Sequence, residues 1–445
     1  MMKPTRLFIL AAATAFGLAS CESVVDDLNN DPNNFTDIST ALVLNHAVLN
    51  LAVVSESEAA RLGGMWTDQF TGSDRQYITQ DNFNVDDSDF DAIWGDLYRG
   101  GFAQAQIAAE KAQALGSEDL VGVAEILQGH YAAEAALLFG DVPFSEANNA
   151  SEFTDPAYEP QQQVLMSAIS LIESGIGKTE LDVNEGNDVL VSSSSFDQFG
   201  NALIARYRLA MRDYEGAQEA AEAADFSSVS NSVDIRHSTT NFAENSFYQF
   251  EAEQRTDYLT FDDSYLINLI APDSTDTYRG DDKTDDSNRV DYYADGSSDF
   301  VRLNTNPGGL FAAAQNWPVI GVPEVQLILA EAAARNGDTE AAIEALNAAR
   351  NYWDSVMGTD DYEDYEEDDF DDDDSLLETI LTEKFVSVFG VPTFYDIIRT
   401  DNLIGTDLDG RDEPAQRFLY PSTERSSNSS YPGLQGLEVP TPINN

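Results

Sequence analysis

The segment Val322–Ala349, VPEVQLILAEAAARNGDTEAAIEALNAA, decides how this chain folds. Its apolar residues recur at three- and four-residue spacing on both sides of Gly337-Asp338, the pattern of two helices joined by a tight turn. With Pro323 as position one, Ala330 falls at position eight, Gly337 at fifteen, Ala342 at twenty and Ala349 at twenty-seven of a roughly 34-residue unit. Small side chains at those places let paired helices approach closely.

A second copy fits with Gln198 as position one. Asp213-Tyr214-Glu215 then makes the turn, and Ala217, Ala221 and Ala224 take positions twenty, twenty-four and twenty-seven. This is tetratricopeptide-like spacing, although the large residues of that motif are mostly absent, so two ordinary alanine-faced hairpins fit the spacing as well. Outward from these units, periodicity predicts helices from Ser39 or Thr40 to about Leu62 and from Ala92 to Leu115. Another runs from Asp119 to Phe139, ending at Gly140-Asp141-Val142-Pro143, a glycine followed by a proline breaker. Further helices read over 161–177, 196–211, 214–224, 322–336, 339–356 and 375–389. The fold class is therefore mainly α.

Residues 225–316 break this pattern. Ser, Thr, Asp, Asn and Tyr dominate, and Asp-Gly and Gly-Gly pairs appear, as in a loop-rich subdomain with short strands. Residues 359–374 hold 12 acidic side chains and read as a low-complexity loop between helices.

The 445 residues carry 80 Asp and Glu against 23 Lys and Arg, a formal charge of −57. A nucleic-acid binder needs clustered cations to displace counterions from phosphates, so that class is excluded. With 42% hydrophobic residues the chain buries a large core, and its acidity does not signal disorder. Only 5 of the 23 basic residues are lysine and the acid is spread along the chain. Such a surface repels itself in dilute buffer and is tolerated when salt screens it, so we read a halophilic, salt-adapted protein.

The single cysteine, Cys21, excludes an internal disulfide and Cys-rich metal sites. Before it stand Lys3 and Arg6, an apolar stretch from Leu7 to Leu18, and Leu18-Ala19-Ser20-Cys21. These are the parts of a signal peptide over 1–20, in order, ending in what looks like a lipobox with Cys21 as the lipidated residue. Residues 21–37 read as a flexible tether, and no later stretch approaches the ~20 apolar residues of a spanning helix. The expectation is a protein anchored to a membrane by lipid and not embedded in it.

Several segments together resemble the SusD/RagB family of nutrient-binding outer-membrane lipoproteins. They are Trp94-Gly-Asp-Leu-Tyr98, the run from Gln128 to Phe144, the run from Pro318 to Ala332, Leu376 to Lys384 with Phe394 to Arg399, and Arg417 to Ser422. Each is weak alone, but they occur in the family's order across most of the chain. The acidic run and the scarcity of lysine depart from the pattern. The resemblance implies one SusD-like domain over 38–445, four tetratricopeptide-like helix pairs, and a ligand site on the irregular subdomain. It further implies a glycan or other polymeric nutrient as ligand, a SusC-like TonB-dependent barrel transporter as partner, and the cell surface of the outer membrane as location. A helical-repeat scaffold that binds protein, or a glycoside hydrolase, is the alternative.

Catalytic motifs are scarce. His46, His130 and His237 are far apart, Gly175-Ile-Gly-Lys178-Thr179 lacks the earlier glycine of a phosphate loop, and no Gly-x-Ser-x-Gly elbow exists. No cofactor and no enzyme activity are expected. Residues 359–374 offer oxygen ligands for Ca²⁺ but lack the spacing of a calcium loop, so a solvated loop is the preferred reading. Sugar rings stack their C–H faces on aromatics while polar side chains bond the hydroxyls. On that ground Trp66, Gln69, Arg75 and Tyr77 form one candidate ligand platform, and Tyr278, Arg279 and Tyr292 another. Trp94, Tyr98 and Trp317 are expected in the core.

Overall fold

Capping chemistry sets where the helices begin and end. The computed structural model describes residues 39–272, 277–297, 300–406 and 413–445; the expected signal segment, Cys21 and the tether to residue 37 lie outside them. The longer helices are α1 (Thr40–Glu56), α2 (Glu58–Trp66), α3 (Ala103–Leu115), α4 (Glu118–Phe139), α5 (Gln161–Ile176) and α6 (Phe196–Ala210). After them come α7 (Tyr214–Ala224), α8 (Val322–Asn336), α9 (Thr339–Met357), α10 (Asp373–Ser387) and α11 (Val391–Arg399). Ser195 caps α6 by accepting from the Gln198 backbone N–H at 3.2 Å, and the Gln198 side chain returns the bond to Ser195. Asp213, Asp338 and Asp372 cap α7, α9 and α10 by accepting from the backbone N–H three residues on, and Ser375 returns the bond to Asp372. Gly337 ends α8 at φ 81°, a left-handed turn that a side chain resists.

The chain divides between Leu42 and Val43, and Val43–Asn445 form one unit. Within it the helices stack on their chain neighbours: α3 on α4, α4 on α5, α5 on α6, α6 on α7, α7 on α8, and α8 on both α9 and α10. The alanines that spacing singles out, Ala217, Ala221, Ala224, Ala330, Ala342 and Ala349, are all buried in these seams. The stack extends beyond the two units that sequence spacing resolves. α4 is apolar on nearly every side because helices cover both its flanks, and its crossing with α5 is set by two glycines. A Cβ on Gly122 would lie 2.6 Å from the Gly175 carbonyl oxygen, and one on Gly175 would lie 2.5 Å from the Gly122 oxygen.

The predicted helix over 92–115 is interrupted. Asp91–Gly95 is α-helical, Asp96–Phe102 widens into a π-helix, and α3 follows. The predicted helix from 39 or 40 to 62 likewise breaks at Ser57, between α1 and α2. Residues 225–316 carry short helices, including Tyr265–Ile270 and Ser287–Tyr293, and short strands whose partners lie partly outside the segment. Val233–Ile235 runs between Leu190–Val191 and Trp317–Ile320, antiparallel to both. Thr71–Gly72, Leu259–Thr260, Arg302–Leu303 and Ala294–Asp295 form a second antiparallel sheet in that order.

The 359–374 run is anchored, which a purely solvated loop would not be. Tyr362 is buried, donates from its hydroxyl to Asp286 Oδ1 at 2.8 Å, and lies beneath the guanidinium groups of Arg289 and Arg350. Arg350 also sits 4.1 Å from the Tyr365 ring centroid, and Lys283 donates to the Asp364 carbonyl. Among the described residues no group of three or more His, Cys, Asp or Glu side chains is arranged to hold a metal ion.

Candidate functional site

The strand Val233–Ile235 turns alternate side chains to opposite faces, so Val233 and Ile235 enter the core and Asp234 points the other way. A break in register between Val233 and Asp234 sets Asp234 opposite Pro318. There it borders a pocket of about 170 Å³. α9 supplies Tyr352, Trp353 and Val356 to the same pocket, and Ser287–Tyr293 supplies Tyr292.

The aromatic wall is fixed by its own contacts. The Tyr352 and Trp353 rings meet edge-on with centroids 5.4 Å apart, and Tyr292 lies 6.3 Å from Trp353 at 62°. Trp353 Nε1 donates to Ser387 Oγ at 2.8 Å. Trp317, on the same pocket, donates to the Ser55 carbonyl at 3.1 Å. Asp234 is partly exposed, and among the described residues its carboxylate has no hydrogen bond or ion pair. Burial pushes its pKa up to about 7. Burial first, and the Asp234 charge among the other causes, raise the phenols of Tyr292 and Tyr352, the latter to about 12.

The floor is a buried polar network. Arg206 bonds Glu324 with two prongs at 2.6 and 2.7 Å and the Val319 carbonyl at 2.7 Å. Glu134 lies 3.5 Å from Arg206 and accepts from the hydroxyls of Tyr207 and Tyr395 at 3.1 and 2.7 Å. His130 Nδ1 lies 2.6 Å from the Tyr207 hydroxyl. That hydroxyl gives its proton to Glu134, so we assign the imidazole hydrogen to Nδ1, which leaves Nε2 as a lone-pair acceptor. Nε2 is buried without a hydrogen-bond partner. Burial and the neighbouring Arg206 push His130 down to about 3, which keeps it neutral.

Of the residues proposed from sequence, Tyr292 is in this pocket and the others are elsewhere. Trp66 is 1% exposed, stacks on Phe83 with centroids 5.3 Å apart, and donates from Nε1 to the Gln80 carbonyl. Phe90, Phe394 and Phe418 cover it as well, so no sugar face can reach the indole. Tyr77 is 4% exposed, packs on Phe250 and Tyr258, and its hydroxyl accepts from Arg61 Nε at 2.8 Å. Gln69 is fully enclosed, donating to the carbonyls of Phe385 and Val388 and accepting from the Gly390 N–H. Arg75 is on the surface beside Asp74. Arg279 is committed to Asp286 and Glu383 at 2.7 and 2.9 Å, and Tyr278 is half-buried. The expected platform of Trp66, Gln69 and Tyr77 is thus a piece of core. Trp94 and Trp317 are buried as expected, with Tyr98 stacked on Trp94.

Sequence reasoning passed over Asp234, Tyr352, Trp353 and His130. The adjacent Tyr352-Trp353, three residues beyond the last small position of the second repeat helix, was the available signal.

A family profile described as starch-binding and associating with the outer membrane matches residues 32–395. No curated protein matches significantly. Among solved structures, a SusD/RagB family protein from Bacteroides thetaiotaomicron aligns with TM-score 0.70 at 17% identity, covering 92% of this chain and 99% of its own. A chitin-binding SusD homologue from Flavobacterium johnsoniae aligns with TM-score 0.66 at 14% identity, covering 91% and 98%. A further chitin-binding protein aligns with TM-score 0.62 at 16% identity over 88% and 95%. No helix among the described residues is long and apolar enough to cross a membrane. With its sequence profile matched over most of its length and its helical stack shared with these structures, the chain belongs to the SusD-like family.

Proposed function

We propose that this protein is a lipid-anchored outer-membrane protein of the cell surface that captures a glycan and passes it to a TonB-dependent barrel transporter, without cleaving it. The observation that carries the binding part is the pocket itself: an aromatic wall of Tyr292, Tyr352 and Trp353 beside the unpaired, partly exposed Asp234 carboxylate. Aromatic faces for C–H stacking beside a few fixed polar groups are what sugar recognition requires. At about 170 Å³ the pocket is smaller than the roughly 300–1,000 Å³ that encloses a drug-sized ligand, so it holds one sugar residue or chain end. Two neighbours in the fold are described as chitin-binding, which makes β-1,4-linked aminosugar polymers the first ligands to try.

The test is affinity electrophoresis through gels containing soluble glycans, followed by calorimetry, in high salt. Retardation by a glycan, lost in Tyr292→Ala and Tyr352→Ala with unchanged circular dichroism, supports the reading. Each variant should weaken binding by about 1–3 kcal/mol, the cost of losing a packed anchor. Release of reducing ends would favour the hydrolase instead, and protein capture without glycan binding the scaffold. Lipid anchoring is tested by Cys21→Ala, which should free the protein from washed outer membranes. Co-purification of a barrel protein with the wild type tests the transporter partner.

A further inference from the structure

Three carboxylates border the pocket, Glu134, Glu324 and Asp234, against one guanidinium, Arg206. Arg206 is fully engaged by Glu324, the Val319 carbonyl and Glu134, so nothing positive remains for Asp234. His130, buried behind the wall, stays neutral beside Arg206 and adds no positive charge. Tyr292 and Tyr352 line the same pocket within reach of the Asp234 charge, and the π face of a tyrosine attracts a cation through its quadrupole. One face of Trp353 is already under Arg289, 4.9 Å from its centroid, which leaves the tyrosines as the accessible rings. The chain's −57 charge adds a field of the same sign. An unpaired carboxylate, aromatic rings and a net negative wall together describe a site for a positively charged donor.

We propose that the pocket takes a primary ammonium group, the free amine of a deacetylated aminosugar residue, with Asp234 as its counter-ion and Tyr292 and Tyr352 as its aromatic wall. This rests on the glycan reading above and sharpens it: a chain end bearing –NH₃⁺ is preferred over the same sugar bearing a neutral acetamido group. Burial raises the Asp234 pKa, and no neighbouring cation of the chain is among its causes to lower it.

The probes are the β-1,4-linked disaccharide of glucosamine and its di-N-acetyl form, titrated by calorimetry against the full chain. Because an acidic surface attracts any cation, the comparison is made in about 1 M NaCl, where the Debye length is about 3 Å. The wild type should bind the amine form at least about tenfold more tightly. Asp234→Asn, which is isosteric, should bring the two within about twofold while the rest of the surface charge is unchanged. A second variant guards against misfolding. Val356 borders the pocket on α9 and is 40% exposed, so Val356→Lys supplies a built-in ammonium without disturbing the core, and it should abolish the preference as well. Equal binding of the two sugars by the wild type overturns the inference and leaves the glycan reading standing. So does a preference that survives both variants, since the charge would then be read elsewhere. Failure of both sugars and of longer N-acetylated chains to bind overturns the two together.

Discussion

Arg206 on α6 grips Glu324 on α8 through a bidentate pair, Nε to Oε1 at 2.6 Å and Nη2 to Oε2 at 2.7 Å, at the floor of the candidate pocket. Both side chains are buried, so the pair ties the two helices and orients the Glu134–Tyr207–His130 network beside it. Glu324→Ala would leave a buried guanidinium with the Val319 carbonyl and the more distant Glu134 carboxylate, and should cost about 3–5 kcal/mol of stability. Replacing both partners, with Arg206→Met and Glu324→Leu, should cost less than that single change. Urea unfolding of the three proteins in constant salt measures the difference.

The α4–α5 crossing gives a second expectation. Gly122→Ala places a methyl group against the Gly175 carbonyl and should destabilise by about 1–3 kcal/mol through overpacking. Gly177→Ala, at the end of α5, meets nothing closer than 3.6 Å and should leave the thermal midpoint nearly unchanged or raise it. Scanning calorimetry on both variants separates close packing from a general intolerance of α5.

Acid and base stability should pull in opposite directions. Burial pushes Asp234 and Glu251 up to about 7 from ordinary values of 3.8 and 4.5. Between those limits the native state holds more protons than the unfolded chain, so stability falls as pH rises from about 4 to 7. Glu331 is the reverse. Although burial opposes it, Arg399 and then Lys384 and Arg335 hold it down to about 2, so its contribution is complete above 4.5 and lost as pH falls toward 2. The thermal midpoint should therefore peak near about pH 5, and Asp234→Asn with Glu251→Gln should flatten its decline toward about pH 8. Midpoints measured across pH at one salt concentration decide it.

Trp66 provides a test of core against site. Trp66→Ala should cost about 3–5 kcal/mol, as expected for a large aromatic enclosed by Phe83, Phe90, Phe394 and Phe418. Under conditions where the variant remains folded, its affinity for a glycan bound by the wild type should be unchanged. A selective loss of affinity with intact stability would return Trp66 to the binding surface.

The acidic run is held by Tyr362, and releasing it should be visible to a protease. Tyr362→Ala removes the hydroxyl bond to Asp286 and the ring beneath Arg289 and Arg350. Cleavage by a Glu-specific protease within 359–374 should accelerate several-fold while the far-ultraviolet circular dichroism stays the same. Equal cleavage rates would mean that Tyr365 and Lys283 suffice to hold the segment.

The helical stack was legible in the sequence because its determinants are local. The caps at Ser195, Asp213, Asp338 and Asp372, the glycine after α8 and the small residues of the repeat seams act over one or two turns, so their spacing alone locates α6 to α10. The π-helical widening at Asp96–Phe102 and the break at Ser57 do not follow from periodicity, which is the same on both sides of each. Exposure is a different kind of property. Trp66-Thr-Asp-Gln69 and Tyr77 have the composition of a sugar-binding loop, and only the aromatic rings from residues 83 to 418 packed over them make them core. The candidate pocket is likewise a product of tertiary structure. Asp234 faces it through strand alternation at a break in register, Tyr292 arrives on a short helix, Tyr352 and Trp353 on α9, and His130 on α4, segments separated by up to 223 residues of chain. What the sequence determined was where helices start, stop and pair, since that depends on neighbours along the chain. Which side chains were left facing one another without partners depended on how those helices closed together, and only the folded chain decided it.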